Sequence, residues 1–180
     1  AKGEIFMATI DLIVLGMLKK QPLSAYDIQK LVEYRNISKW VKISTPSIYK
    51  KVIQLEEKGL LQSVPMRENN MPEKAVYSLT ASGEQEFERL MGELSAQPIR
   101  MFLDFNAVIV NLDNVPLEMQ KSCVDSIEKN VQDLKTYLEE NLREKENAPE
   151  VPEIGMAVLR QQFVLAETIG IWIEELKKRF

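Results

Sequence analysis

Along residues 9–19, Ile10, Ile13, Val14, Met17 and Leu18 recur at the spacing that stacks side chains on one face of a helix. Lys19 and Lys20 follow, where the negative end of a helix dipole favours cations, and Gln21-Pro22 ends the element. Ser24 is placed to cap a second helix reaching about Tyr34. Asp27, three residues on, partly mimics a capping box, and Leu31, Val32 and one of Tyr26 or Ile28 turn inward. A connector over 36–43 holds Trp40. The third helix has the clearest start. In Ser44-Thr45-Pro46-Ser47, Thr45 caps and Pro46 takes the first helical position, where a missing N–H costs nothing. Ile48, Val52 and Leu55 form its inner face, with Ile53 beside them. Ser47, Lys50, Lys51, Gln54 and Lys58 make a polar band roughly 100° wide, and Gly59 closes the helix in the left-handed conformation.

Two strand-like stretches, 60–66 and 75–79, flank a polar loop over 67–74 rich in turn formers. Thr80 caps a further helix to about residue 96. The order helix, helix, helix, hairpin, helix describes a winged helix, whose third helix enters the DNA major groove while the wing reaches the backbone or minor groove. After Pro98 the chain reads as helical. An apolar run covers 99–111, and Pro116 opens a long helix to about 147. That helix carries Leu117, Val124, Ile127, Val131, Leu134, Leu138 and Leu142 on its apolar face. A turn over 148–152 precedes a last helix over 154–178. The expected fold is therefore mainly α with a small β-hairpin. A winged helix-turn-helix domain spans 1–96, its helix over about 80–96 serving as a link, and an all-α domain spans 97–180. Helices this apolar are hard to bury within one chain, so the second domain is expected to build a homodimer.

Composition narrows the chemistry. The 180 residues are 45% hydrophobic and 28% charged, an ordinary globular balance. There is no histidine and one cysteine, Cys123, which excludes His-based triads, Cys–His dyads, His-ligated metals and an intrachain disulfide. Cys123 is expected to serve as a small buried hydrophobe. No glycine-rich phosphate loop occurs, and no paired carboxylates stand beside a base, so neither an enzyme nor a cofactor or metal site is expected. Apolar runs fall well short of the roughly 20 residues of a membrane span, and no export signal opens the chain. A cytoplasmic protein is the resulting expectation.

The net charge of −4 is unevenly spread. Residues 1–80 hold 12 basic and 8 acidic side chains, whereas residues 81–180 hold 11 and 19. Between Tyr34 and Leu55 stand Arg35, Lys39, Lys42, Lys50 and Lys51 with no acid among them. This basic stretch coincides with the presumed recognition helix, the electrostatic footprint of a polyanion partner. Lys42, Lys50 and Lys51 are candidates for phosphate contacts. Thr45, Ser47 and Gln54 suit base edges or phosphate oxygens, and the hydroxyls of Tyr26 and Tyr49 suit phosphates. Arg67, Asn69, Asn70 and Lys74 fall on the wing. In the acidic half, Phe102, Phe105, Phe163 and Trp172 are candidates either to line a ligand site or to form the dimer interface. The alternative function is a winged-helix adaptor whose acidic helical domain binds a protein partner.

Three stretches carry a resemblance. Pro22-Leu23-Ser24-Ala25-Tyr26-Asp27-Ile28 resembles the Gly-Tyr-(Asp/Glu)-(Leu/Ile) stretch of the PadR family, with Ala25 in the glycine's place. The run from Ser47 through Tyr49 to Leu55-Glu56-Glu57-Lys58-Gly59-Leu60 is similar to that family's tyrosine-bearing helix and Leu-Glu-x-x-Gly-Leu. Lys74-Ala75-Val76-Tyr77-Ser78-Leu79-Thr80-Ala81-Ser82-Gly83 resembles its Lys-x-Tyr-x-Leu-Thr-x-x-Gly, although Glu73-Lys74 stands where a more basic, glycine-bearing hairpin is commoner. The resemblance covers about residues 8–85. It implies a dimeric transcriptional repressor on a pseudo-palindromic double-stranded operator, and members of the family sense small aromatic or drug-like compounds.

Overall fold

A computed structural model of the chain describes residues 2–44, 46–67, 73–146, 148 and 151–180, with side chains from residue 8 onward. Two units divide it, Ala1–Ile99 and Arg100–Phe180.

In the first unit, helix α1 (Lys2–Lys20) is the central element. Ile10, Val14, Leu15, Met17 and Leu18 are all buried, so its apolar surface is wider than the single stripe expected from the sequence. A two-residue strand β1 (Leu23–Ser24) leads into α2 (Ala25–Tyr34). Ser24 caps α2 through the expected box. Its hydroxyl accepts from the Asp27 N–H at 3.1 Å, and its own N–H donates to the Asp27 carboxylate at 3.2 Å. A 3₁₀ turn (Ile37–Lys39) then leads towards α3 (Ser47–Glu57). Ile48, Val52 and Leu55 are fully buried against the core formed by α1 and α2.

Strands β2 (Leu61–Met66) and β3 (Lys74–Leu79) form the wing, antiparallel with Val64 opposite Val76 and Leu61 opposite Leu79. Strand β1 adds a third member on the far side of β3, pairing Leu23 with Tyr77 and Ser24 with Val76. Helix α4 (Ala81–Ser95) follows, capped by the Thr80 hydroxyl, which accepts from the Gly83 N–H at 3.1 Å.

The junction between α3 and the wing is tightly built. Gly59 has φ +72°. The Leu60 N–H donates to the Leu55 carbonyl at 2.9 Å and the Gly59 N–H to the Glu56 carbonyl at 2.8 Å, the paired bonds of a Schellman cap. Thr80 then clasps the same turn. Its N–H donates to the Leu60 carbonyl at 3.1 Å and its hydroxyl to the Gly59 carbonyl at 2.7 Å. A Cβ added to Gly83 would lie 2.1 Å from the Leu60 carbonyl oxygen, so only glycine lets α4 start this close to the turn.

The second unit opens with the short helix α5 (Asn106–Ile109) and a 3₁₀ turn (Leu112–Asn114). A hairpin of two long helices follows, α6 (Leu117–Lys145) and α7 (Glu153–Lys177). Val124, Ile127 and Val131 of α6 pack with Ile173 and Leu112 in one cluster. Leu138 packs with Met156, Leu159 and Ala166 in another. Lys177 joins the two helices, 2.8 Å from Asp125 and 2.6 Å from Glu128, and these carboxylates hold its ammonium pKa above the usual lysine range. Leu117 and Leu134, counted on the apolar face by spacing, are exposed instead, and Cys123 is only half-buried at the edge of the first cluster. Among the described residues, no helix is long and apolar enough to cross a membrane, and no His, Cys, Asp and Glu cluster can hold a metal ion.

Candidate nucleic-acid interface

The exposed surface of α2 and α3 is built by what the core takes. Burial of Ile28 and Val32 on α2 turns Tyr26 out, 56% exposed, with the Lys30 ammonium 5.5 Å from its ring centre. Lys30 and Tyr26 sit one turn apart on the same helix face, a spacing that pairs neighbours. Lys30 also meets Glu33 at 3.1 Å, and that contact, with smaller help from Tyr26 and Tyr49, holds its pKa above the usual lysine range. The sequence drew attention to the bases from Tyr34 onward, so Lys30, one helix earlier, is an addition.

On α3 the outward face is rotated from the expected polar band. Tyr49 is 43% exposed, Lys50 is exposed, and Ile53, expected beside the inner face, is 50% exposed. Ser47 and Gln54 recede to half-buried flanks, and the Ser47 hydroxyl is occupied by the Ser44 carbonyl. Lys51 is the main correction. Instead of facing outward it is only 4% exposed, with its ammonium 2.7 Å from the Asp11 carboxylate of α1. Neither atom makes a well-directed hydrogen bond, so charge rather than bond geometry joins them. The reason is rotational: with Ile48, Val52 and Leu55 all fully buried, position 51 is carried to the edge of the core, where α1 presents an acid.

Elsewhere the candidates scatter. Lys42 is exposed in the connector before α3, and Arg67 is exposed at the end of β2. Lys74 stands at the start of β3, half-buried and 3.8 Å from the Asp27 carboxylate. The Ser24 hydrogen bonds, with a smaller contribution from Lys74, hold the pKa of Asp27 below the usual carboxylate range. Lys74 therefore braces the sheet to the cap of α2. Thr45, Asn69 and Asn70 lie outside the described residues.

The four aromatics of the second unit do not converge. Phe105 stacks on Trp172 with ring centres 6.0 Å apart. Phe163 packs in the other cluster, beside Leu138 and Met156, and Phe102 is 74% exposed. A groove of about 430 Å³ between α6 and α7 is bordered by Asp125, Glu128, Lys135, Glu167 and Glu174 among others, and by none of the four.

Residues 14–89 match the transcriptional regulator PadR-like family. The chain carries a PadR-like regulator domain. Members of this family are transcription regulators, not enzymes. The matched segment holds α2, α3, the wing and the start of α4, and all three stretches that carried the resemblance lie within it.

Solved structures share the PadR-like fold over nearly the whole chain. Bacillus subtilis PadR in complex with operator DNA superposes with a TM-score of 0.78 at 22% identity, covering 93% of this chain and 97% of that one. The same protein in complex with p-coumaric acid gives 0.75 at 19%, with 94% of each chain covered. The virulence activator AphA of Vibrio cholerae gives 0.68 at 19%, covering 92% of this chain and 94% of its own. No curated protein sequence matches the chain.

Proposed function

We propose that this PadR-like chain is a homodimeric repressor of a pseudo-palindromic operator, which it contacts through the outward face of α3, the exposed end of α2 and the wing. The observation that carries this is the coincidence of the acid-free basic stretch with the solvent-facing side of α3, where Lys50 and Tyr49 stand exposed. Lysines there neutralise phosphates and release counterions, and tyrosine hydroxyls are common backbone donors. A protein of the same fold bound to operator DNA supports the assignment. Lys51, held by Asp11, is left out of the contact set.

The dimer rests on the second unit. Helix α7 buries Met156, Leu159, Ala166 and Ile173 against α6, while Val164, Leu165, Ile171 and Trp172 remain partly exposed, Trp172 with one face stacked on Phe105. A second copy covers this apolar face. A small aromatic ligand that favours a dimer geometry mismatched to the half-sites releases the DNA by that preference. The fold shared with a p-coumaric acid complex supports this class of effector.

The test is binding to random duplexes and to duplexes enriched from them, at several salt concentrations, with light scattering at micromolar protein. A dimer with a steep salt slope and tighter binding to an enriched palindrome is expected. A stable monomer, or affinity indifferent to salt and sequence, overturns the proposal in favour of a protein-binding adaptor. Within the same titration, Lys50→Ala is expected to weaken binding to all duplexes alike and to flatten the slope of log K against log salt by about one unit. A change confined to one base preference removes Lys50 from the phosphate contacts.

A further inference from the structure

Ile53 occupies a place on α3 that folding does not explain. The buried side of the helix is complete in Ile48, Val52 and Leu55, each fully enclosed. Ile53 adds nothing to that side and stays half-exposed, although β-branched residues are mediocre helix formers. It is also central to the outward face. At 100° per residue, Tyr49 lies roughly 40° to one side of it and Lys50 roughly 60° to the other. A helix that enters the major groove with Lys50 and Tyr49 towards the two phosphate walls therefore points Ile53 at the floor.

The chemistry of that floor is restrictive. Every base pair presents hydrogen-bond donors and acceptors in the major groove, and the one apolar group is the C5-methyl of thymine. An isoleucine pressed on any other base edge dries polar atoms without giving them a partner, which is unfavourable. Against a thymine methyl it buries apolar surface on both sides.

We infer that Ile53 is a specificity-determining residue of the operator contact and that it reads a thymine methyl group in each half-site. This rests on the DNA-binding role proposed above and adds to it the identity of one recognised base. It adds an apolar contact to the base-edge or phosphate contacts that Thr45, Ser47 and Gln54 suit.

The experiment uses the full chain and the duplex enriched from random sequence. Each thymine of that duplex is replaced in turn by uracil, which removes the methyl and leaves the base pairing unchanged. For the wild type, one position per half-site is expected to lose about fourfold in affinity, the value of one buried methyl group. Ile53→Ala, which leaves the enclosed Ile48, Val52 and Leu55 in place, is expected to keep the fold by circular dichroism and to bind thymine and uracil duplexes equally. Repeating the selection with Ile53→Ala is expected to return a consensus without the thymine preference at that position. Sequence-specific binding with no uracil-sensitive position overturns the inference while leaving the DNA-binding role intact. The same uracil penalty persisting in Ile53→Ala also overturns it, by assigning the methyl to another side chain. Absence of sequence-specific binding by the wild type overturns the DNA-binding role and this inference with it.

Discussion

Replacing Gly83 with alanine is expected to lower the melting temperature by on the order of 10 °C, because the new methyl group meets backbone rather than a side chain. The added Cβ would sit 2.1 Å from the Leu60 carbonyl oxygen and 3.0 Å from a Leu79 methyl. A flexible side chain yields to such a clash, but this carbonyl is held by the Thr80 N–H, one residue from the carbonyl held by the Thr80 hydroxyl. Making room strains both bonds, worth about 1 kcal/mol each, on top of about 1–3 kcal/mol for overpacking. Alanine's better helix propensity returns only about 1 kcal/mol, so a net loss of about 3 kcal/mol remains. Gly92 provides the control. It lies in the same helix with open space around its Cβ position, so Gly92→Ala is expected to stabilise by about 0.5–1 kcal/mol. Thermal unfolding followed by circular dichroism measures both. Equal and small effects at the two positions would show that α4 moves away from the turn without cost.

Lys51→Met is expected to destabilise by about 3–5 kcal/mol, the range for removing one partner of a buried ion pair. The loss comes chiefly from Asp11, which is left nearly enclosed with no opposing charge. If so, Asp11→Leu combined with Lys51→Met recovers most of the stability, because two apolar side chains of similar size replace both charges. Chemical denaturation of the two single variants and the double variant measures the coupling. The double variant also separates two roles for the residue. A lysine that faces DNA takes a phosphate contact with it when removed, whereas a buried one leaves the salt dependence of binding unchanged. An additive pair of losses, or a flattened salt slope in the refolded double variant, would return Lys51 to the surface.

Much of the fold was legible because its signals are local. The Ser24–Asp27 box, the left-handed Gly59 and the Thr80 cap each depend on residues within one turn, and all three form as the spacing requires. The wing strands began within a residue of their expected limits for the same reason. Strand β1 was not legible. Two residues after a proline, the second of them the capping serine itself, show no alternation, and their pairing partners lie more than fifty residues away. The rotation of α3 was hidden in a similar way. Hydropathy alone sets Ile53 inward and Lys51 outward. What reverses the assignment is an aspartate on α1, 40 positions earlier, together with the complete enclosure of Ile48, Val52 and Leu55. The aromatics of the second unit have helical spacing whether they meet a core, a ligand or another chain, so spacing could not group Phe105 with Trp172 or separate Phe163 from both.

The clasp at Gly59 and Leu60 has a consequence for the DNA contact proposed above. The end of α3, the residue before β2 and the start of α4 share one set of hydrogen bonds, with no linker between the helix proposed to read the groove and the wing. In the proposed complex, a helix seated in its groove finds the base of the wing already in position, with no flexible tether to order. Little ordering entropy is left to lose at the second contact, so the two grips engage as a single preorganised event.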